Sequence, residues 1–230
     1  MTDYAVARAN MVESQIRPNQ VTDRRILQIM LEIPREIFVP PAMRSLAYMD
    51  EEFTFEASGG SAEASSGSAA DRSMLAPMPL ARLIQLAAIG AEDVVLDIGC
   101  ATGYSSAVLA RLAEAVVGLE CDGPLAEAAG RNMIELETDN AAIVTGDLAS
   151  GYPDESPYDA ILLQGSVSDV PDALLAQLKN GGRLVTVVGD RSMGQACLFR
   201  NFDGKFSRVA AFDAGAPALP GFERVQEFVF

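Results

Sequence analysis

The stretch that most constrains this chain is Val94-Val95-Leu96-Asp97-Ile98-Gly99-Cys100-Ala101-Thr102-Gly103-Tyr104, which leads into a helical run from Ser105 to Leu112. An apolar strand that ends in an acid, turns on glycines and continues as a helix is how an open α/β sheet offers a nucleotide-like ligand its carboxyl edge. From Val94 onward strand and helix patterns alternate, which predicts a mostly parallel sheet with right-handed crossovers. Strands are expected near Val94–Ile98, Val116–Glu120, Ala142–Thr145, Ala160–Gln164 and Arg183–Val188. Helices are expected near Ser105–Ala113, Pro124–Leu136 and Asp172–Lys179, the last closed by Asn180-Gly181-Gly182. Asp203-Gly204 between Ala196–Phe202 and Phe206–Phe212 is a hairpin signal. The expectation is a Rossmann-like α/β fold with a seven-stranded, mostly parallel sheet ending in an antiparallel C-terminal hairpin. Val225–Phe230 reads as an apolar segment packed on the domain.

Upstream, residues 1–56 read as a helical segment packed on the core, with apolar stripes interrupted at Pro18 and Pro34. Residues 57–72 form an Ala/Ser/Gly-rich loop that buries almost nothing, either a solvated insertion or a lid over the site. Residues 73–230 are expected to be the ligand-binding domain, opening on an apolar helix after Pro77.

Several chemistries are excluded by what the chain lacks. It contains no His, so no imidazole base, His metal ligand or Ser-His pair can act. Its three cysteines, Cys100, Cys121 and Cys197, are too dispersed for a zinc cluster or a C-x-x-C redox pair, so no metal is expected and the thiols read as reduced. A net charge of −15 argues against binding a phosphate backbone, hence no nucleic-acid partner. No stretch reads as a signal peptide or a membrane span, which makes the cytoplasm the expected compartment.

The turn itself discriminates between ligands. A dinucleotide fingerprint, G-x-G-x-x-G/A counted from Gly99, fails at its last position, Tyr104. What remains is Asp97-x-Gly99-x-Ala101-x-Gly103, a variant of the acidic-x-G-x-G-x-G turn of S-adenosylmethionine-dependent methyltransferases, with Ala101 replacing the middle glycine. Glu120 ends the second strand, where a carboxylate can accept from both ribose hydroxyls. Gly146-Asp147-Leu148 follows the third, where Asp147 can receive the adenine amine and Leu148 can pack beside the ring. Any one strand-end acid is ordinarily solvated or a helix cap. Three on successive strands favour a cofactor, with Asp97, Gly99, Cys100, Ala101, Gly103, Tyr104, Glu120, Cys121, Asp147 and Leu148 as its binding set.

Beyond these residues the chain resembles the protein-L-isoaspartate O-methyltransferase family over most of its length. Pro34-Arg35-Glu36-Ile37-Phe38-Val39-Pro40 is similar to the family's P-R-E-x-F-V-P, Ala47-Tyr48-Met49-Asp50 to its A-Y-x-D, and Gly181-Gly182-Arg183-Leu184-Val185 to its G-G-R-L-V strand. The resemblance implies methyl transfer from S-adenosylmethionine to a protein or peptide carboxylate at isoaspartyl sites in damaged proteins. It also marks two departures. The family's I-S-x-P motif, whose hydroxyl helps hold the substrate carboxylate, is Met74-Leu75-Ala76-Pro77 here, so orientation falls to Ser73 and to the backbone around Leu75 and Ala76. The family's T-A-A after the fourth strand is Gln164-Gly165-Ser166, where Gln164 reads either as a further acceptor contact or as an exposed strand end. Two other readings stay open: methylation of a different acceptor, and S-adenosylmethionine binding without catalysis.

Overall fold

A computed structural model of the chain describes residues 3–55 and 72–223. The N-terminal segment supplies helices α1 (Tyr4–Met11) and α2 (Arg24–Glu32), then short 3-10 turns. Asp3 and Asp23 cap the two helices by accepting from backbone N–H groups of their first turns. A two-stranded antiparallel ribbon follows, β1 (Phe53–Phe55) against β2 (Arg72–Met74), with Phe55 opposite Arg72 and Phe53 opposite Met74. Between these strands lie the residues expected to form a loop or lid, outside the described part, as does Val225–Phe230.

Helix α3 (Pro77–Ala87) leads into the main sheet, made of β3 (Val94–Ile98), β4 (Ala115–Glu120), β5 (Ala141–Thr145), β6 (Tyr158–Val167), β7 (Leu178–Val188), β8 (Gln195–Phe202) and β9 (Lys205–Asp213). Its order is β5-β4-β3-β6-β7-β8-β9, parallel as far as β7 and antiparallel from there. The expected seven-stranded sheet with an antiparallel C-terminal hairpin is therefore the observed one. Helices α4 (Tyr104–Ala110) and α5 (Gly123–Glu135) join β3 to β4 and β4 to β5.

Strand order reverses at β3, whose neighbours are β4 on one side and β6 on the other. That crevice, at the strands' carboxyl ends, is where an open sheet takes ligands. Both sheet faces are covered. Met11, Ile16, Ile26 and Phe38 share one apolar cluster with Tyr104 and Val108, whereas Leu96, Leu119, Leu148 and Leu163 belong to a second.

One helix is shorter than its sequence pattern predicts. Instead of Asp172–Lys179, α6 spans Asp172–Leu175, and Leu178 already pairs with Tyr158 in β7. The carbonyl of Gln177 accepts from the Tyr158 N–H at 2.8 Å, and its side-chain amide donates to the Ser150 and Ala173 carbonyls. Sheet pairing thus takes the backbone that the helical pattern claimed, and Asn180-Gly181-Gly182 lies within β7 rather than closing a helix.

Candidate active site

The glycine turn follows from backbone needs at three positions. Gly99 has φ 80° and Gly103 φ 93°, left-handed values that glycine adopts without strain. A Cβ on Gly103 would stand 3.1 Å from the Ala129 Cβ, so glycine also lets α5 approach the turn. Ala101 adopts φ 49°, in the same region but with a side chain. This conformation costs an L-residue about 1–2 kcal/mol. It is held because the Ala101 N–H donates to the Glu120 carboxylate at 2.7 Å. Ala101→Gly relieves the strain while loosening the unfolded chain, and the expected net gain is up to about 1 kcal/mol, read from urea denaturation midpoints.

Asp97 is fully buried at the end of β3. Its carboxylate accepts from Ser105 Oγ at 2.7 Å, Ser106 Oγ at 2.6 Å and Gln164 Nε2 at 2.5 Å. Burial pushes its pKa above the ordinary aspartate value, against the lowering effect of these three donors. Gln164, expected to touch the acceptor, is instead committed to Asp97, across the β3–β6 crevice. Ser105 and Ser106 were not anticipated as partners, although their place in the first turn after Gly103 puts two hydroxyls over the strand end.

Glu120 is the most heavily engaged group. Oε1 accepts from Arg72 Nε at 2.8 Å, Cys121 N–H at 2.8 Å and Asp122 N–H at 3.2 Å. Oε2 accepts from an Arg72 terminal nitrogen at 3.0 Å and from the Ala101 N–H. Arg72 therefore grips the carboxylate with a two-pronged fork, and the two side chains are 4% and 0% exposed. Burial alone would raise the Glu120 pKa, but the guanidinium and the N–H donors outweigh it and hold it below the usual glutamate value. The same Arg72 nitrogen lies 2.7 Å from where a Cβ on Gly99 would be, and Leu219 Cδ2 lies 2.8 Å from that point.

Leu219 belongs to a segment with no sequence expectation attached to it. The Ser166 N–H donates to the Pro217 carbonyl at 2.7 Å, and the Leu219 N–H donates to the Ser166 carbonyl at 2.9 Å. Ser168 Oγ donates to the Phe222 carbonyl at 2.5 Å. The segment thus lies across the end of β6, with Gly165 leaving room for Leu219 and Pro217. Leu219 and Phe222 share the apolar cluster of Leu148, the residue expected beside an adenine ring.

The remaining expected residues divide. Cys100 is buried in the turn, and Cys121 presents its N–H to Glu120. Asp147 is exposed after β5, where it caps a turn by accepting from the Ser150 N–H at 2.7 Å. Tyr104 departs from its expected role. Its buried ring packs edge-on to Phe38 at 5.3 Å and under the Arg35 guanidinium at 4.6 Å, so its side chain belongs to the core. On the acceptor side, Leu75 is 3% exposed and lies in the apolar core. Its carbonyl accepts from buried Arg35 at 2.7 Å, which fixes the segment's backbone from the N-terminal motif. The Ser73 hydroxyl lies 3.3 Å from that of Thr54, and Ala76 precedes the first turn of α3.

The sheet order, the glycine turn and the strand-end acids define a Rossmann-like methyltransferase. The chain belongs to the protein-L-isoaspartate O-methyltransferase family: the model of Protein-L-isoaspartate(D-aspartate) O-methyltransferase (PCMT) matches residues 7–210. A protein-L-isoaspartate O-methyltransferase of Koribacter versatilis is 32% identical over 96% of this chain and 94% of its own. That of Rhodopseudomonas palustris is 36% identical over 94% of each chain. A solved protein-L-isoaspartate O-methyltransferase superposes with a TM-score of 0.77 at 27% identity, covering 93% of this chain and 66% of that one. A Plasmodium falciparum protein solved in complex with S-adenosyl-L-homocysteine shares the fold at 19% identity and a TM-score of 0.70, over 95% of this chain and 99% of that one.

Proposed function

We propose that this chain transfers a methyl group from S-adenosylmethionine to a carboxylate of isoaspartyl residues in damaged proteins. The observation that carries the reading is Glu120 at the end of β4, beside the glycine turn of a chain matched by the family model across residues 7–210. The residues present suit the cofactor chemically. Glu120 can accept from a ribose diol, the turn offers backbone without side chains at Gly99 and Gly103, and Leu148 gives an apolar wall. When bound, S-adenosylmethionine supplies an electrophilic methyl on a positively charged sulfur.

The protein's task is positioning. A carboxylate acceptor is ionised at neutral pH, so no residue has to remove a proton, in keeping with a chain that contains no His. What accelerates transfer is alignment and exclusion of water. Arg35 contributes by holding the Leu75 carbonyl, and Asp97 by fixing Ser105, Ser106 and Gln164 around the end of β3. Among the described residues no helix is long and apolar enough to cross a membrane, and we place the enzyme's work in the cytoplasm on proteins or peptides.

The assay is incubation with methyl-labelled cofactor and an isoaspartyl peptide, followed by measurement of base-labile methyl ester. Ester above the level of the aspartyl control peptide is expected, and its absence overturns the assignment. A second reading, a different acceptor, is favoured by Leu75, which brings an apolar side chain where the family places a hydroxyl. Labelling confined to metabolites or to other protein groups would establish it.

A further inference from the structure

Arg72 is a buried cation at the glycine turn, and it takes up the acceptor capacity of Glu120 that a ribose diol would use. Both oxygens of Glu120 are saturated by six donor contacts, two of them from Arg72 and one from the Cys121 thiol. One guanidinium nitrogen also fills the space directly over Gly99. Glu120 cannot accept from a ribose diol while Arg72 holds both oxygens. Three backbone N–H groups, of Ala101, Cys121 and Asp122, remain on Glu120 when Arg72 leaves and hold its carboxylate in place.

Arg72 itself sits on β2, immediately before Ser73, Met74 and Leu75. Its cross-strand neighbour Phe55 lines a cavity of about 260 Å³ whose other walls include Phe38, Val39 and Thr102 of the turn. A guanidinium released from Glu120 is therefore tethered between the turn and the acceptor segment. That segment offers no side-chain hydroxyl at Leu75, and its other nearby cation, Arg35, is fully buried, with two of its nitrogens on the Leu75 and Ala47 carbonyls. A guanidinium fork is the side chain best shaped to hold a carboxylate presented there.

We propose that Arg72 is a two-position specificity residue: paired with Glu120 it competes with ribose hydroxyls for that carboxylate, and on exchange for them it turns to hold the acceptor carboxylate. The acceptor half of this inference rests on the isoaspartyl reading above; the competition half does not. Because one side chain serves both sites, cofactor and acceptor binding are coupled, and by linkage the coupling is reciprocal.

The test uses the full chain, titrated calorimetrically with S-adenosylhomocysteine and then with an isoaspartyl peptide, with and without S-adenosylhomocysteine. Arg72→Gln removes the competitor and the cation together, so S-adenosylhomocysteine should bind at least fivefold more tightly while peptide affinity falls at least tenfold. Arg72→Lys keeps the charge but loses the fork, so the cofactor product should again bind more tightly while most peptide affinity survives. This variant also decides the competition if Arg72→Gln does not fold. In the wild type the peptide should bind at least tenfold more tightly when S-adenosylhomocysteine is present, and Arg72→Gln should abolish that difference. Unchanged or weaker S-adenosylhomocysteine binding in the folded variants overturns the competition. Peptide affinity that is indifferent to Arg72→Gln overturns the acceptor role. A wild type that binds S-adenosylhomocysteine but no isoaspartyl peptide refutes both the acceptor role and the isoaspartyl assignment, and the cofactor titration alone then decides the competition.

Discussion

Glu120→Gln is expected to unfold about 3–5 kcal/mol more easily than the wild type at pH 7, the usual cost of leaving one member of a buried ion pair without its partner. Arg72 and Glu120 are 4% and 0% exposed, so solvent screens their attraction very little. The pH dependence gives the effect a signature. Glu120 titrates below its ordinary value in the folded protein, against about 4.3 when unfolded. The unfolded state thus takes up the proton first as pH falls, and the pair's contribution is complete above pH 4.3 and lost as pH drops through the folded pKa. Urea denaturation at a series of pH values should show a wide gap between wild type and Glu120→Gln at neutral pH that closes in acid. A gap that stays constant down to the lowest pH at which both fold would show that the ion pair is not its source.

The second large effect concerns the acceptor. Leu75→Ser restores a donor where the family carries a hydroxyl, and a hydrogen bond to a charged group contributes about 1.5–3 kcal/mol. Methyl-ester formation on an isoaspartyl peptide should rise about 10- to 100-fold in kcat/KM if that bond forms in the transition state. The substitution has a structural cost, since Leu75 is 3% exposed within the larger apolar cluster. Truncating such a leucine costs about 2–5 kcal/mol, so rates must be compared well below the variant's melting temperature. A folded Leu75→Ser with unchanged or lower kcat/KM would show that this position does not orient the acceptor.

What the sequence reveals about this molecule is mostly local in origin. Val94–Ile98 is an unbroken apolar run up to Asp97, as a strand buried on both faces must be, and Gly99 and Gly103 mark positions whose φ values strain ordinary side chains. The hairpin at Asp203-Gly204 is equally local. What escapes such reading are contacts between distant residues. Nothing around Arg72 or Glu120 announces that they meet across 48 positions, nor does Gln164 signal a bond to Asp97, 67 positions away. Tyr104 illustrates the opposite error, in which adjacency to a turn suggests a ligand although the side chain is needed by the core. Asp172–Lys179 failed for a third reason: a helical pattern competed with a β-ladder, and the ladder's hydrogen bonds took precedence from Leu178 onward.

The segment Ala216–Phe222, folded over the end of β6, has a thermodynamic consequence for any small molecule that enters below it. Leu219 lies against Gly99 and Gly165, so a ligand seated directly over Gly99 must move it. Whatever free energy that movement costs is subtracted from the intrinsic binding free energy, as for any site whose receptive form is only part of the ensemble. The segment therefore sets a gain on the whole enzyme. Substitutions in it that never touch the cofactor will scale apparent affinity up or down together with the fraction of molecules standing open.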